Sequence, residues 1–148
     1  MNNIDVATRG WTLVGDTANS RFFEVRPRVL CAVPRAGATD DKTTAMENRT
    51  FQESYFRRLG MPGIVIVLMD GFVSQDSEAR RIYQVTNEPL LHGVALVASS
   101  LLGRAIMSFS VGLRRLEIVV KPFASLDAAI AWGDEIISSI DAKKEDAP

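Results

Sequence analysis

Short apolar runs alternate with segments of helical periodicity, and this alternation constrains the fold more than any other feature of the chain. The runs are "GIVIVL" (63–68), "GVALV" (93–97) and "LEIVVKPF" (116–123). Strands that lack a polar face are typical of a parallel sheet covered on both sides. Because strands and helices alternate along the chain, the sequence predicts an α/β fold with helices packed on the sheet.

The segments around these runs complete the predicted order of elements. Phe22–Val25 and Val29–Val33 predict a hairpin, since Pro27 suits the connection better than a ladder position. A helix follows, with Thr39, Asp40 and Asp41 as N-cap candidates and a stop at Gly60. Three more helices follow the three apolar runs. The predicted order is β-β-α-β-α-β-α-β-α, with a mixed, mostly parallel sheet.

Length and charge exclude several classes of protein. The 148 residues suit one domain, and 17 basic against 18 acidic side chains argue against a nucleic-acid-binding protein. The single cysteine suits a reducing cytoplasm, no secretory signal is visible, and no apolar run approaches the roughly 20 residues of a membrane span. We expect a cytoplasmic chain with an N-terminal arm (1–20, with at most an edge strand at Trp11–Val14), a domain (21–140) and a solvated tail (141–148).

Three stretches carry a resemblance to a known family. They are "IVIVLMDGFVSQDSEAR" (64–80), "VALVASSLLGRAIMSFSVGL" (94–113) and "VKPFASLDAAIAW" (120–132). Over residues 21–140 the chain resembles the SpoIIAA-like group of STAS domains, which includes anti-sigma-factor antagonists. The resemblance implies a STAS-like fold and a non-enzymatic, regulatory role through protein–protein contacts.

The segment "QDSEAR" (75–80) has two interpretations. From the residues alone, Asp76 or Ser77 is the N-cap of the helix that follows, and this is the interpretation that the sequence favours. The resemblance implies a second role, because family members carry an Asp-Ser-Ser-Gly type motif whose second serine is phosphorylated by a partner kinase. Ser77 is the nearest match to that phosphoacceptor, with Glu78 in place of the glycine.

The resemblance also implies a partner-binding surface made of the 74–77 loop and the helices after it. Its predicted residues are Ser74, Asp76, Ser77, Arg80, Arg81, Leu101, Met107 and Val111. In the predicted helix Leu101–Leu113, one apolar stripe (Leu102, Ile106, Phe109 and Leu113) suffices to cover the sheet. The apolar residues off that stripe contact either a partner or the final helix or N-terminal arm. The partner is a regulator or a kinase, or a second copy of the chain in a homodimer.

Catalytic, metal and cofactor signatures are not visible in the sequence, so we expect no enzyme and no cofactor. His92 has no cluster of metal ligands around it, and Cys31 in an apolar strand is expected to be a small buried hydrophobe. The turn "SSLLGR" (99–104) offers backbone N–H groups that could hold an anion. An alternative function is a carrier or sensor of a lipid or other apolar ligand, with arginines holding an anionic head group.

Overall fold

The computed structural model of the chain describes residues 9–85, 88–111 and 118–146, without the side chains of 108–111 and 146. It contains eight strands and four α-helices within these ranges. The strands are β1 (Thr12–Asp16), β2 (Ser20–Arg26), β3 (Val29–Pro34), β4 (Ala38–Asp40), β5 (Gly63–Leu68), β6 (Phe72–Gln75), β7 (Leu91–Val97) and β8 (Val119–Phe123). The helices are α1 (Lys42–Leu59), α2 (Ser77–Gln84), α3 (Leu101–Val111) and α4 (Leu126–Asp146).

Six strands form one mixed sheet in the order β1-β2-β3-β5-β7-β8. The first three strands pair antiparallel, and β3, β5, β7 and β8 pair parallel. The predicted class, α/β with a mixed and mostly parallel sheet, is therefore confirmed, as is the predicted hairpin of β2 and β3. Sequential parallel strands joined by right-handed crossovers place the connecting helices on one face of the sheet.

The two faces of the sheet are covered unequally. On β5, Val65 packs in one core with Phe56 of α1 and Ile106 of α3. Its neighbour Ile66 points to the opposite face and packs with Trp132 of α4. Because α4 follows the last strand and is not a crossover, it is free to cover the face that α1 and α3 leave open.

A second, two-stranded sheet lies at the carboxyl end of the main sheet, and the predicted order did not contain it. Its strands β4 and β6 pair parallel, with Thr39 opposite Ser74 and Asp40 opposite Gln75. A single 3₁₀ turn, Met69–Gly71, joins β5 to β6. Strands of three and four residues are too short for a periodic pattern to predict. The segment predicted as a loop before α2 is therefore largely a turn and a strand.

Both ends of the described chain pack on the sheet. The predicted edge strand at Trp11–Val14 corresponds to β1, which pairs with β2. At the other end, α4 continues to Asp146, so the predicted boundary between domain and solvated tail at 140/141 falls inside this helix. Residues 1–8, 147 and 148 lie outside the described ranges. No helix in the described ranges is long and apolar enough to cross a membrane.

Candidate functional site

The segment "QDSEAR" (75–80) leads into α2, and its N-cap and its first helical residue are different residues. Asp76 is the N-cap, and its carboxylate accepts a hydrogen bond from the Ala79 amide at 2.8 Å. Ser77 is the first helical residue and is exposed. Ser74 is exposed on β6. Of the two cap candidates, Asp76 is thus the one that caps.

The two predicted arginines of α2 point in different directions. Arg81 is exposed, whereas Arg80 is half-buried and donates from Nη1 to the carbonyl oxygen of Gln75 at 2.9 Å. Arg80 also lines an internal cavity of about 60 Å³. The structure therefore brings Ser74, Asp76, Ser77 and Arg81 to the surface and places Arg80 inward.

Some apolar residues of α3 are exposed and others are buried. Leu101 is 87% exposed and Leu102 is 49% exposed, although Leu102 was predicted to face the sheet. Leu102 lies in the first turn of the helix and is not part of either hydrophobic core, so the prediction for it is wrong. Ile106 is buried as predicted, and Met107 packs partly against the same core. The side chains of the other predicted α3 residues (Phe109, Val111 and Leu113) lie outside the described part of the chain.

Asp70 forms a cluster with two serines that the sequence reasoning missed. Its carboxylate accepts hydrogen bonds from the backbone N–H groups of Ser99 (2.9 Å) and Ser100 (2.9 Å) and from both hydroxyls (2.7 and 2.6 Å). Ser100 Oγ in turn accepts a hydrogen bond from the Gly103 amide at 2.9 Å and so caps the N-terminus of α3. Asp70 follows β5 and the serines follow β7, two adjacent parallel strands. Polar residues just after adjacent buried strands were the signal that could have predicted the cluster.

The hydrogen bonds to Asp70 stabilise its charged form. Its partial burial alone would raise the pKa, but the bonds from Ser100 and Ser99 outweigh burial and lower the pKa to about 2. Such a carboxylate is an anion at neutral pH and a poor general base. It also occupies the N-terminus of α3, the position in which the "SSLLGR" turn was predicted to hold an anion. The anion bound there is the side chain of Asp70.

A depression of about 330 Å³ opens beside this cluster. It lies at the carboxyl ends of β3, β5 and β7, the side of the strands on which open α/β sheets bind ligands. Its wall combines apolar and polar groups, among them Pro34, Gly37, Asp70, Val73, Ser99 and Ser100. Val73 is 48% exposed at this rim, and α3, which begins with the exposed Leu101, packs against β6.

The smaller cavity, of about 60 Å³, lies between the sheet, α1 and α2. One wall is apolar and includes Phe22, Val67, Met69, Phe72, Val94 and Leu96; the other is polar and includes Asp40, Asn48, Gln52, Gln75, Arg80 and Tyr83. Asp40 is only 2% exposed. It was predicted as an N-cap candidate for α1, but the structure gives that role to Asp41, which forms a capping box with Thr44.

Two residues considered for chemistry have ordinary surroundings. Cys31 is fully buried in β3, as expected, and desolvation raises the pKa of its thiol far above the ordinary value. His92 lies in β7, half-buried. Within the described ranges, no group of three or more histidine, cysteine or carboxylate side chains is placed to hold a metal ion.

The fold and these features define an α/β domain with a mixed sheet, a depression at the carboxyl ends of its parallel strands and a small internal cavity. Comparisons of the chain with protein-family models, with curated proteins and with solved structures found no match.

Proposed function

We propose that the chain is a cytoplasmic, non-enzymatic, STAS-like interaction domain that binds a protein partner at the carboxyl end of its sheet. The surface concerned, called the partner face below, comprises Ser74, Asp76, Ser77, Arg81 and Leu101. All five side chains are exposed, and they lie on β6, at the N-cap and helix of α2, and at the start of α3. Of these elements, β6 contributes Val73 to the lining of the depression, and Ser100 of that lining directly precedes α3.

The exposure of Leu101 is the observation that carries this proposal. A leucine side chain that is 87% exposed gains about 1.5–3 kcal/mol when it becomes fully buried. Leu102 and Val73 are about half exposed nearby, so Leu101 belongs to an apolar group beside a concave surface. An exposed apolar group that is rimmed by polar residues is typical of a protein interaction site.

Site-specific photocrosslinking in growing cells tests the partner face. A benzophenone amino acid at position 101 should give a crosslinked adduct on illumination, and one at position 13 should give none. Leu13 is a suitable control because it is 54% exposed but lies on the edge strand β1. Mass spectrometry of the adduct separates a regulator or kinase from a second copy of the chain. Equal adducts at both positions, or none at 101, would overturn the proposal.

Phosphorylation of Ser77 as a switch of partner binding is a further part of the proposal. It rests on the exposure of Ser77 at the N-terminus of α2. A phosphate there would be tolerated by the helix dipole and would change the charge of the partner face. Ser77→Asp should weaken the yield of the position-101 adduct, whereas Ser77→Ala should leave it unchanged. If neither substitution alters the yield, Ser77 has no regulatory role at this face.

The size of the internal cavity restricts the alternative function of carrier or sensor. Sites for drug-sized ligands enclose about 300–1,000 Å³, and this cavity of about 60 Å³ is too small for a lipid chain. The cavity therefore favours a carrier or sensor of a small ligand over one of a lipid.

A further inference from the structure

We infer that the internal cavity binds a small, neutral, amphipathic molecule through the side-chain amide of Gln52. The ligand class is a hydroxyl or carboxamide group on a short branched apolar body. This site lies beneath α1 and α2 and does not depend on the proposed partner face.

The polar wall of the cavity is already ordered by internal hydrogen bonds. Asp40 accepts from Asn19 (3.3 Å), Thr44 (2.7 Å) and Gln75 (3.0 Å). Asn48 is also occupied, since it donates to Asn19 and to the Tyr83 hydroxyl at 3.0 Å each. These groups are held in place before any ligand enters.

Gln52 differs from these groups, and it is more buried than Gln84, which also lines the cavity. It lies one helical turn after Asn48 and is only 9% exposed, yet its amide has no hydrogen-bond partner among the described residues. In the described part of the chain, every side-chain nitrogen or oxygen atom that is sealed from solvent has a hydrogen-bond partner. Because the Gln52 amide has none, it must be in contact with open space. Gln52 lines the cavity, which therefore supplies that space. Buried polar groups normally find a partner, and a bound molecule would provide one.

The rest of the lining defines the chemistry of that molecule. A primary amide both donates and accepts, so its best complement is a group that does the same, such as a hydroxyl or a carboxamide. Among the described residues of the lining, those charged at neutral pH are Asp40 and Arg80, whose charges are opposite. The opposite wall is apolar, with Phe22 and Leu96 among its residues. A neutral head on an apolar body fits this lining better than an ion does.

The volume sets the size of the ligand. A water molecule needs roughly 10–15 Å³ on this measure, so about 60 Å³ holds roughly four waters. An organic molecule of about five or six non-hydrogen atoms, with part of its surface open to solvent, fills a comparable volume.

Four compounds with one branched skeleton and different heads test the assignment. They are isobutanol, isobutyramide, isobutyrate and isobutylammonium, titrated at pH 7 into the ¹⁵N-labelled full chain. We expect saturable shifts of the Gln52 side-chain amide with the two neutral compounds, at millimolar concentrations, and at least tenfold weaker binding of the two ions. Shifts centred on Ser99 and Ser100 would instead place binding in the surface depression and would overturn the assignment.

Two variants and one control complete the test. Gln52→Leu should weaken the binding of both neutral compounds at least tenfold, whereas Ser54→Leu, at an exposed position of the same helix, should not. Gln52→Glu keeps the side-chain shape and should shift the preference to isobutylammonium, which tests the same residue if the leucine variant does not fold. No saturable shift with any compound would show that the cavity holds only water, and equal binding by Gln52→Leu would overturn the role of Gln52.

Discussion

Arg28 donates two hydrogen bonds to the carboxylate of Asp141, from Nη1 at 2.9 Å and from Nη2 at 3.0 Å, across 113 positions of sequence. Its Nε also donates to the carbonyl oxygen of Pro62 at 2.7 Å. The Arg28 side chain is only 9% exposed, and its φ of 78° lies in the left-handed region. One side chain thus joins the turn between β2 and β3 to the start of β5 and to the last turns of α4.

Arg28→Lys should destabilise the protein, because lysine keeps the charge but cannot form the two-pronged contact or reach Pro62 at the same time. We expect the free energy of unfolding to fall by about 2 kcal/mol, measured by urea denaturation. Arg26→Lys is the matched control, since the Arg26–Asp134 pair at 3.0 Å is 51% and 43% exposed. Exposed pairs contribute little, so the control should change stability by less than about 0.5 kcal/mol. Equal losses in the two variants would contradict the role of Arg28.

The stability contributed by Asp70 should depend on pH. The folded-state pKa of about 2 lies below the ordinary value of about 3.9, so the contribution is complete above about pH 4 and disappears as the pH falls towards 2. At pH 7, Asp70→Asn should lower the free energy of unfolding by roughly 1 kcal/mol through the weaker cap on α3. Denaturation of both proteins between pH 7 and pH 2 measures this gap, which should narrow below pH 4. A gap that stays constant with pH would show that the carboxylate charge contributes nothing.

Replacing Gly103 with alanine should lower the stability of the protein, although the same substitution in a helix usually raises it. Replacing a helical glycine with alanine ordinarily stabilises a protein by about 1 kcal/mol. Here the added Cβ would lie 2.3 Å from Asp70 Oδ1 and 2.9 Å from Ser100 Oγ. Gly103→Ala should therefore destabilise by about 1–3 kcal/mol, as overpacking does.

A double-mutant cycle separates the contact with Asp70 from the helix propensity of alanine. In an Asp70→Ala background the carboxylate is gone and only the longer contact with Ser100 Oγ remains, so the Gly103→Ala substitution should cost clearly less than in the wild-type background. Thermal unfolding of the four proteins measures the difference. The same cost in both backgrounds would mean that Asp70 does not lie over the first turn of α3.

The parts of the fold that could be predicted from the sequence depend on local patterns. Continuous apolar runs predicted β5 and β7, and an acidic residue before a periodic segment predicted the start of α1. The pattern could not tell which of two adjacent aspartates is the cap. Asp41 caps α1, whereas Asp40 turns inward to a network with Gln75, because that choice depends on the distant strand β6.

The candidate site was less predictable because its contacts join distant segments. The sequence identified Ser77 and Leu101 as surface candidates, and both are exposed. It missed the cluster of Asp70 with Ser99 and Ser100, which exists only when two parallel strands end side by side. The sequence also predicted Asp141 to lie in a solvated tail, because no residue near it in the sequence indicates a contact with the distant Arg28.

The last prediction concerns which residue stabilises the start of α2. The Asp76 carboxylate accepts the Ala79 amide at 2.8 Å, and no described contact uses the Ser77 hydroxyl. Asp76→Ala should therefore lower the free energy of unfolding by about 1 kcal/mol, whereas Ser77→Ala should change it by less than about 0.5 kcal/mol. Urea denaturation of both variants checks this difference. Equal costs would make Ser77 part of the cap, and an effect of Ser77 substitutions on partner binding would then have a structural explanation without phosphorylation.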